Sequence, residues 1–281
     1  MCKTLLLSRP LTKDIYIMTS KRYRLSVTII TLNEADRVGR CLESVKDLAD
    51  EIIVLDSGST DGTLDVVRQY TDQVFETDWP GYGVQKQRAL EKAQYDWVLA
   101  IDADEALDPE LQESVRQLLS EPRGNKVAIQ MPWGVTVYNK RLDHGRSARS
   151  PLRMVWRDGA SFTDAQVHEK ILHAPGETVT LKGRLLHFTS RNYGHALNKS
   201  ANYAWLGSQK YFAKGKRCHT LISPILRSFW TFVQIYLLRG GFLDGSVGFL
   251  IALNYSQNSF NKYAGLWTLT RMEKLEKKSQ N

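Results

Sequence analysis

Asp102 and Asp104 stand two positions apart, directly after the apolar run Trp97-Val-Leu-Ala-Ile101. Carboxylates at that spacing, at the end of a buried strand, can offer hard oxygen ligands to a divalent cation. Such a cation can in turn bridge phosphates. The pair alone is weak evidence, because a solvated turn leading into a helix uses the same residues. A second cluster, Asp56-Ser-Gly-Ser-Thr-Asp-Gly62, combines acceptors, hydroxyls and flexible backbone in one loop. Ionised aspartate only accepts hydrogen bonds, so a carboxylate in this loop can accept from the imide N–H of a uracil ring. The competing use of this loop is to cap the next helix through Thr60 or Asp61. A third cluster, Thr31-Leu-Asn-Glu34, follows the apolar run that begins at Leu25.

The elements that must position these clusters are legible in the hydrophobic pattern. Residues 25–31, 51–55, 73–76 and 97–101 are apolar, β-branched runs that predict strands. Between them, residues 35–45, 63–70 and 84–93 carry helical spacing, and 109–119 opens with a proline where a helix tolerates one. Strands alternating with helices predict βαβ units and a parallel sheet. Ligands of such sheets bind at the carboxyl ends of the strands, where all three clusters fall. Further on, 127–131 and 135–137 are predicted strands and 178–188 a final strand pair. The chain is helical and basic from about Ala196.

Composition narrows the class. The 281 residues are 42% hydrophobic and 24% charged, which excludes disordered and collagen-like chains. The net charge of +8 conceals two unlike parts. Residues 1–150 hold 20 basic and 23 acidic side chains; residues 151–281 hold 18 and 7. No acidic residue lies between Glu177 and Asp244. That asymmetry predicts an anionic partner for the second part: nucleic acid, a membrane or a phosphorylated substrate. Cys2, Cys41 and Cys218 show no paired spacing, which fits a reducing compartment. Leu5-Leu-Leu7 is too short for a secretory core. Residues 1–22 are expected to be a lead-in, with Met18 as an alternative start.

Taken in order, Thr31-Leu-Asn-Glu34, Asp56-Ser-Gly-Ser-Thr-Asp-Gly-Thr63, Lys86-Gln-Arg88 and Asp102-Ala-Asp-Glu105 resemble family 2 of the glycosyltransferases. The likeness extends less tightly through Val167-His-Glu-Lys170 and Leu185-Leu-His187. Within the family the chain is most similar to lipopolysaccharide core β-1,4-glucosyltransferases. Gln87 departs from the pattern, which has asparagine there.

The resemblance implies an α/β, GT-A fold (Rossmann-like, with a mostly parallel central sheet) and a nucleotide-sugar donor. Thr31, Glu34 and Asp56 would line the base and ribose, Asp61 and Lys86 would complete the donor pocket, and Asp102 would face ribose and metal. Asp104 and His187 would ligate a divalent metal, Mg2+ or Mn2+. Glu169 would be the catalytic base of an inverting transfer, preferred to Asp164. The chemistry is consistent: a carboxylate within reach of the acceptor hydroxyl takes its proton, and a cation neutralises the departing diphosphate.

Other residues are less committed. His144, His168, His173, His195 and His219 lack metal-ligand spacing, although His168 could orient Glu169. Arg149, Arg153 and Arg157 suit either a phosphorylated group or a salt-bridged strand face. Trp133, Tyr138, Trp156 and Phe162 suit either sugar stacking or the core. Residues 222–238 and 242–255 are apolar but interrupted by Pro224, Arg227, Gln234 and Asp244. A spanning helix needs about 20 mostly apolar residues. An in-plane membrane segment is therefore preferred, with Trp230, Tyr236 and Phe242 at the interface. A helical cap on the catalytic domain and an oligomer contact are the other readings.

The expected organisation is a lead-in over 1–22, a GT-A domain over 23–190 and a helical, basic region over 191–281. The expected activity moves glucose from UDP-glucose to the lipopolysaccharide inner core, at the cytoplasmic face of the inner membrane. Expected partners are the UDP-sugar donor, the core acceptor and an anionic membrane surface, without nucleic acid. The alternatives are a family 2 transferase for capsule, exopolysaccharide or polyprenyl-linked glycan, a nucleic-acid-binding protein, and an inactive sugar-nucleotide-binding scaffold.

Overall fold

The computed structural model describes residues 22–138, 140–145, 150–164 and 169–279. Most of the lead-in, with Met18, and the readings at Arg149 and His168 lie outside the described residues.

The first half builds the expected βαβ units. Strand β1 (Leu25–Thr31) is followed by α1 (Val38–Val45), β2 (Glu51–Asp56), α2 (Thr63–Val67) and β3 (Val74–Glu76). Then come α3 (Tyr82–Lys92), β4 (Trp97–Asp102), β5 (Glu105–Leu107) and α4 (Pro109–Ser120). Every residue of β1 and β2 is buried, because helices cover both faces of the sheet. Helix α1 turns Val38, Cys41, Leu42 and Val45 inward, at the spacing of one helical face. Each such side chain stabilises the fold by about 1.5–3 kcal/mol. Helix α4 starts where Asp108 accepts a hydrogen bond from the Leu111 amide and Pro109 occupies the first turn.

The remaining strands are β6 (Lys126–Gln130), β7 (Trp133–Val137), β8 (Lys140–Leu142), β9 (Leu152–Trp156), β10 (Ser161–Phe162), β11 (Ile171–Leu172), β12 (Glu177–Thr180) and β13 (Leu185–Phe188). The main sheet has seven strands in the order β12-β6-β9-β4-β1-β2-β3. It is parallel except at β9, which runs antiparallel to both β4 and β6. A second sheet has the order β5-β13-β7-β8, and β10 and β11 form a small hairpin.

The predicted strand pair over 178–188 is corrected here. β12 joins the main sheet and β13 the second one, so the two never pair. Gly183 sits between them at φ +89°, and any Cβ there would strike the Leu111 backbone. That contact with α4 redirects the chain from one sheet to the other.

The chain ends in helices: α5 (Tyr193–Ala213), α6 (Ile222–Phe232), a π-helical turn (Val233–Leu238), a 3₁₀ turn (Gly241–Asp244) and α7 (Gly245–Ser279). The helix expected over 242–255 is thus the 3₁₀ turn plus the start of a much longer helix. Among the described residues no single helix is long and apolar enough to cross a membrane. Residues Ile222–Leu238 and Gly241–Ser279, bent by 72°, reach that length and composition only as a pair.

Candidate active site

The sheet register sets the site. Ile30 pairs with Asp102 and Thr31 with Asp56, so the ends of β1, β2 and β4 lie side by side. Just beyond β4 the chain turns into β5, and β13 pairs with it antiparallel, placing His187 opposite Glu105. This brings His187 beside Asp104, 83 positions earlier in the sequence. Helix α3 supplies Tyr82 and Lys86, β9 supplies Arg153, and the segment before β11 supplies Glu169.

These elements enclose a cleft of about 680 Å³ lined by Thr31, Glu34, Lys86, Asp102, Asp104, Glu169 and His187. Seven of the nine residues singled out in the sequence therefore meet in one place. Lys86 Nζ lies 2.7 Å from both Glu169 Oε1 and Asp102 Oδ1. Arg153 Nη2 holds Asp102 Oδ2 at 2.9 Å and Glu105 Oε1 at 2.5 Å. Arg37 pairs with Glu34 and approaches Asp104 Oδ2 at 3.5 Å. Burial by itself would push the Asp102 carboxyl up, but Lys86 and Arg153 hold it well below the usual carboxylate range. Burial would push Lys86 down, and the Asp102 and Glu169 carboxylates outweigh it, leaving Lys86 raised. Glu34 behaves differently: burial raises its carboxyl against the pull of Arg37.

Asp56 and Asp61 are not among the residues lining the cleft. Asp56 is fully buried, with Oδ2 accepting from the Gly58 and Ser59 amides and Oδ1 from the Ser59 hydroxyl. Asp61 accepts from the Ala35 amide and from the amide and hydroxyl of Thr63. The N-cap of α2 is Gly62, with φ 86°, and not Thr60 or Asp61. Asn33, in the left-handed region at φ 56°, receives the Thr60 amide on Oδ1 and donates its own amide to Ser59. Much of the polar cluster after β2 thus laces the first two strand-end loops to each other. Lone-pair capacity that sequence alone assigns to a ligand is spent on backbone amides that would otherwise lack partners.

The donor chemistry for a metal is present at Asp104 and His187. Asp104 Oδ2 faces His187 Nε2 at 3.5 Å. Burial would raise the carboxyl, but its hydrogen bond to His187 keeps it lowered. Burial would lower the imidazole, and Asp104 keeps it raised. His187 Nδ1 is buried without a hydrogen-bond partner. A carboxylate oxygen and an imidazole nitrogen side by side are donor types that could both be offered to one divalent cation. Among the described residues no third acidic, histidine or cysteine group completes a ready cluster. The pair therefore fits a cation that keeps water or phosphate in its remaining positions, as Mg2+ does.

Sequence reasoning missed several cleft residues. Arg37, Trp79, Tyr82, Lys199 and Tyr203 also line it, and so does His195, which no metal-ligand spacing singles out. Burial pushes the Tyr82 hydroxyl up to about 12. His195, Lys199 and Tyr203 recur at four-residue spacing on α5, a face that helical periodicity could have revealed. Arg153 belongs to the cleft, while Arg157 is exposed. Trp133 lines the cleft, stacked 5.2 Å from His187, and Trp156 packs edge-on against Trp97 in the core. Asp164 is exposed and does not line the cleft. Gln87 accepts the Phe162 amide at 2.7 Å and so ties α3 to β10.

A mostly parallel sheet whose strand ends carry an Asp-x-Asp pair in a charged cleft, with a helical region after it, is the arrangement the GT-A resemblance implies. Residues 26–176 match Glycosyl transferase family 2. The lipopolysaccharide core biosynthesis glycosyltransferase LpsC of Rhizobium meliloti is 33% identical over 251 residues, covering 84% of this chain and 89% of that protein. An uncharacterized glycosyltransferase of Rickettsia prowazekii is 28% identical over 270 residues, covering 92% and 89%. Among solved structures, S. aureus TarS 1-349 aligns with a TM-score of 0.43 at 14% identity, over 89% of this chain and 92% of that one. The chain belongs to family 2 of the glycosyltransferases.

Proposed function

We propose that this enzyme transfers a hexose, glucose from UDP-glucose, to the lipopolysaccharide inner core with inversion at the anomeric carbon. The carrying observation is the convergence of Glu169, Lys86, Asp102, Asp104 and His187 in one cleft at the carboxyl ends of β1 and β4. Glu169 takes the proton of the acceptor hydroxyl as that oxygen bonds to C1 of the sugar. The C1–O bond to the diphosphate breaks, and UDP leaves with the electron pair. Lys86 holds Glu169 and Asp102 on one ammonium, so the base keeps a fixed position relative to the donor end of the cleft. Asp104 and His187 would hold a divalent cation, which supplies charge neutralisation to the diphosphate when bound. Thr31 and Glu34 would border the nucleoside. Thr31 Oγ1 is buried at the cleft wall without a hydrogen-bond partner. Asp56 and Asp61 would support that end of the cleft by shaping its loops.

The lipopolysaccharide acceptor is supported by the relation to LpsC, and a reaction at the cytoplasmic face of the inner membrane is part of the same proposal. A UDP-release assay over a panel of nucleotide sugars, with and without chelator, tests the donor and the metal. The core oligosaccharide mass of a deletion strain tests the acceptor. Loss of one hexose and its extensions is expected. An unchanged core with altered capsule or exopolysaccharide would replace the acceptor assignment.

A further inference from the structure

Helix α6 is amphipathic in the inverted sense. Its exposed face carries Ile222, Ile225, Leu226, Phe229 and Trp230, each between 55 and 66% exposed. Those positions follow the spacing of one helical face. The inward face is mixed: Pro224 is buried, Ser228 exchanges hydrogen bonds with Ser256 of α7, Oγ to Oγ at 2.8 Å, and Phe232 packs edge-on against Phe249 of α7 at 5.8 Å. On α7 the residues turned toward the neighbouring elements are Gly248, Ala252 and Ser256, again four apart. A Cβ on Gly248 would collide with the Gly241 carbonyl, so the 3₁₀ turn and α7 meet backbone to backbone. In water, helices associate by burying large apolar groups between them. Around Ser228 and Ser256 the contact is made by small residues and hydroxyls while large apolar groups face out, a distribution shared with helices surrounded by lipid.

The apolar surface continues past α6 through Leu237, Leu238, Phe242 and Leu243, all 48–66% exposed. So extensive an exposed apolar surface marks an interaction site. Its surroundings are basic. Lys214 and Lys216 precede α6 in an exposed loop, Arg227 and Arg239 lie along it, and no acidic residue occurs from 178 to 243. The turn at its far end is fastened to the catalytic half: Asp244 accepts the Asp143 and His144 amides at 3.2 and 3.1 Å, and Lys140 Nζ donates to the Asp244 carbonyl at 2.5 Å.

We propose that α6 and the two turns after it form a monotopic docking surface that lies in the plane of an anionic glycerophospholipid bilayer, its apolar face among the upper acyl chains and its lysines and arginines at the headgroups. Charge complementarity selects the occupant: a second copy would bring the same basic rim against itself, whereas anionic lipid neutralises it. Because the tip is fixed to the β7–β8 hairpin and α5 borders the cleft, docking sets the height of the cleft above the bilayer. The surface stands on its own residues and does not depend on the identity of donor or acceptor.

The test is flotation of the full chain with vesicles of phosphatidylethanolamine and phosphatidylglycerol, against vesicles of phosphatidylcholine alone. Flotation is expected with the anionic vesicles and should weaken in high salt. The triple variant Leu226→Gln, Phe229→Gln, Trp230→Gln should reduce the bound fraction about tenfold or more. The same preparation should bind UDP as the wild type does, which separates loss of docking from loss of fold or catalysis. Acyl-brominated lipid should quench tryptophan emission in the wild type and do so less in Trp230→Phe. The proposal is overturned if the wild type stays in the aqueous fraction at low salt. It is equally overturned if the triple variant floats like the wild type, or if its only effect is to dissociate a dimer.

Discussion

The sheet half and the helical half use apolar residues in opposite ways. Around β1 and β4, leucine, isoleucine and valine are buried, and charge is gathered into a cleft where nearly every carboxylate meets a cation. Around α6, large apolar side chains face outward, and the contact with α7 combines small residues and hydroxyls at Ser228, Ala252 and Ser256 with one edge-on aromatic pair, Phe232 and Phe249. The first pattern answers to water on the outside. The second loses less by removing its outward surface from water, because part of its internal contact is made by hydroxyls and small residues rather than by large apolar groups. The same residue type is therefore a stability determinant in one half and a partner determinant in the other.

The sharpest separation of the halves comes from chemistry. Glu169→Gln should reduce transfer about 10²–10⁴-fold, the range for a lost general base, with UDP affinity kept. Near-normal turnover in that variant would remove Glu169 from the mechanism. Asp104→Ala should abolish the metal-dependent part of UDP binding, and calorimetry showing equal affinity with and without Mn2+ in both proteins would refute the metal assignment. A core change comes next. Leu42→Ala should cost about 2–5 kcal/mol in denaturant unfolding. Phe229→Gln, on the outward face of α6, should stay within about 0.5 kcal/mol. Equal costs would erase the distinction between the halves.

The smallest effect concerns pH. Hydrogen bonds from Arg217 and Lys277 lower the Glu273 carboxyl to about 2. A depressed carboxyl contributes stability above its ordinary value of 4.5 that is lost as pH falls toward 2. Glu273→Gln should flatten the acid limb of thermal melting slightly in that window. An unchanged limb would show that the pair contributes nothing.

The parts legible in the sequence were those with one local cause. β1, β2 and β4 could be read because β-branched runs end in polar loops, and α4 because Asp108 and Pro109 mark its start. β9 and β13 were harder, since an antiparallel insertion and a change of sheet depend on distant partners such as β4 and β5. The meeting of Asp104 with His187 follows from that register, and only the family likeness suggested it in advance. Asp56 and Asp61 show the limit from the other side: composition marks a polar loop as able to bind, but not whether it binds a ligand or its own backbone. The outward face of α6 was visible as apolar spacing, yet which side it turned to α7 could be decided only by Ser228 and Ser256.

Helix α5 serves two neighbours at once. His195, Lys199 and Tyr203 border the cleft, while Ser200, Ala204 and Ser208 meet α7 on another face of the same helix. One residue inserted between Ser200 and Tyr203 would rotate the two sides of the insertion by about 100° relative to each other. Both registers could not then be kept. Substitutions along α5 can be absorbed one side at a time, but changes of length cannot. Length variation in this part of the chain should instead accumulate around Gly215, ahead of Arg217 and Cys218, which bond to Glu273 and Thr270 of α7.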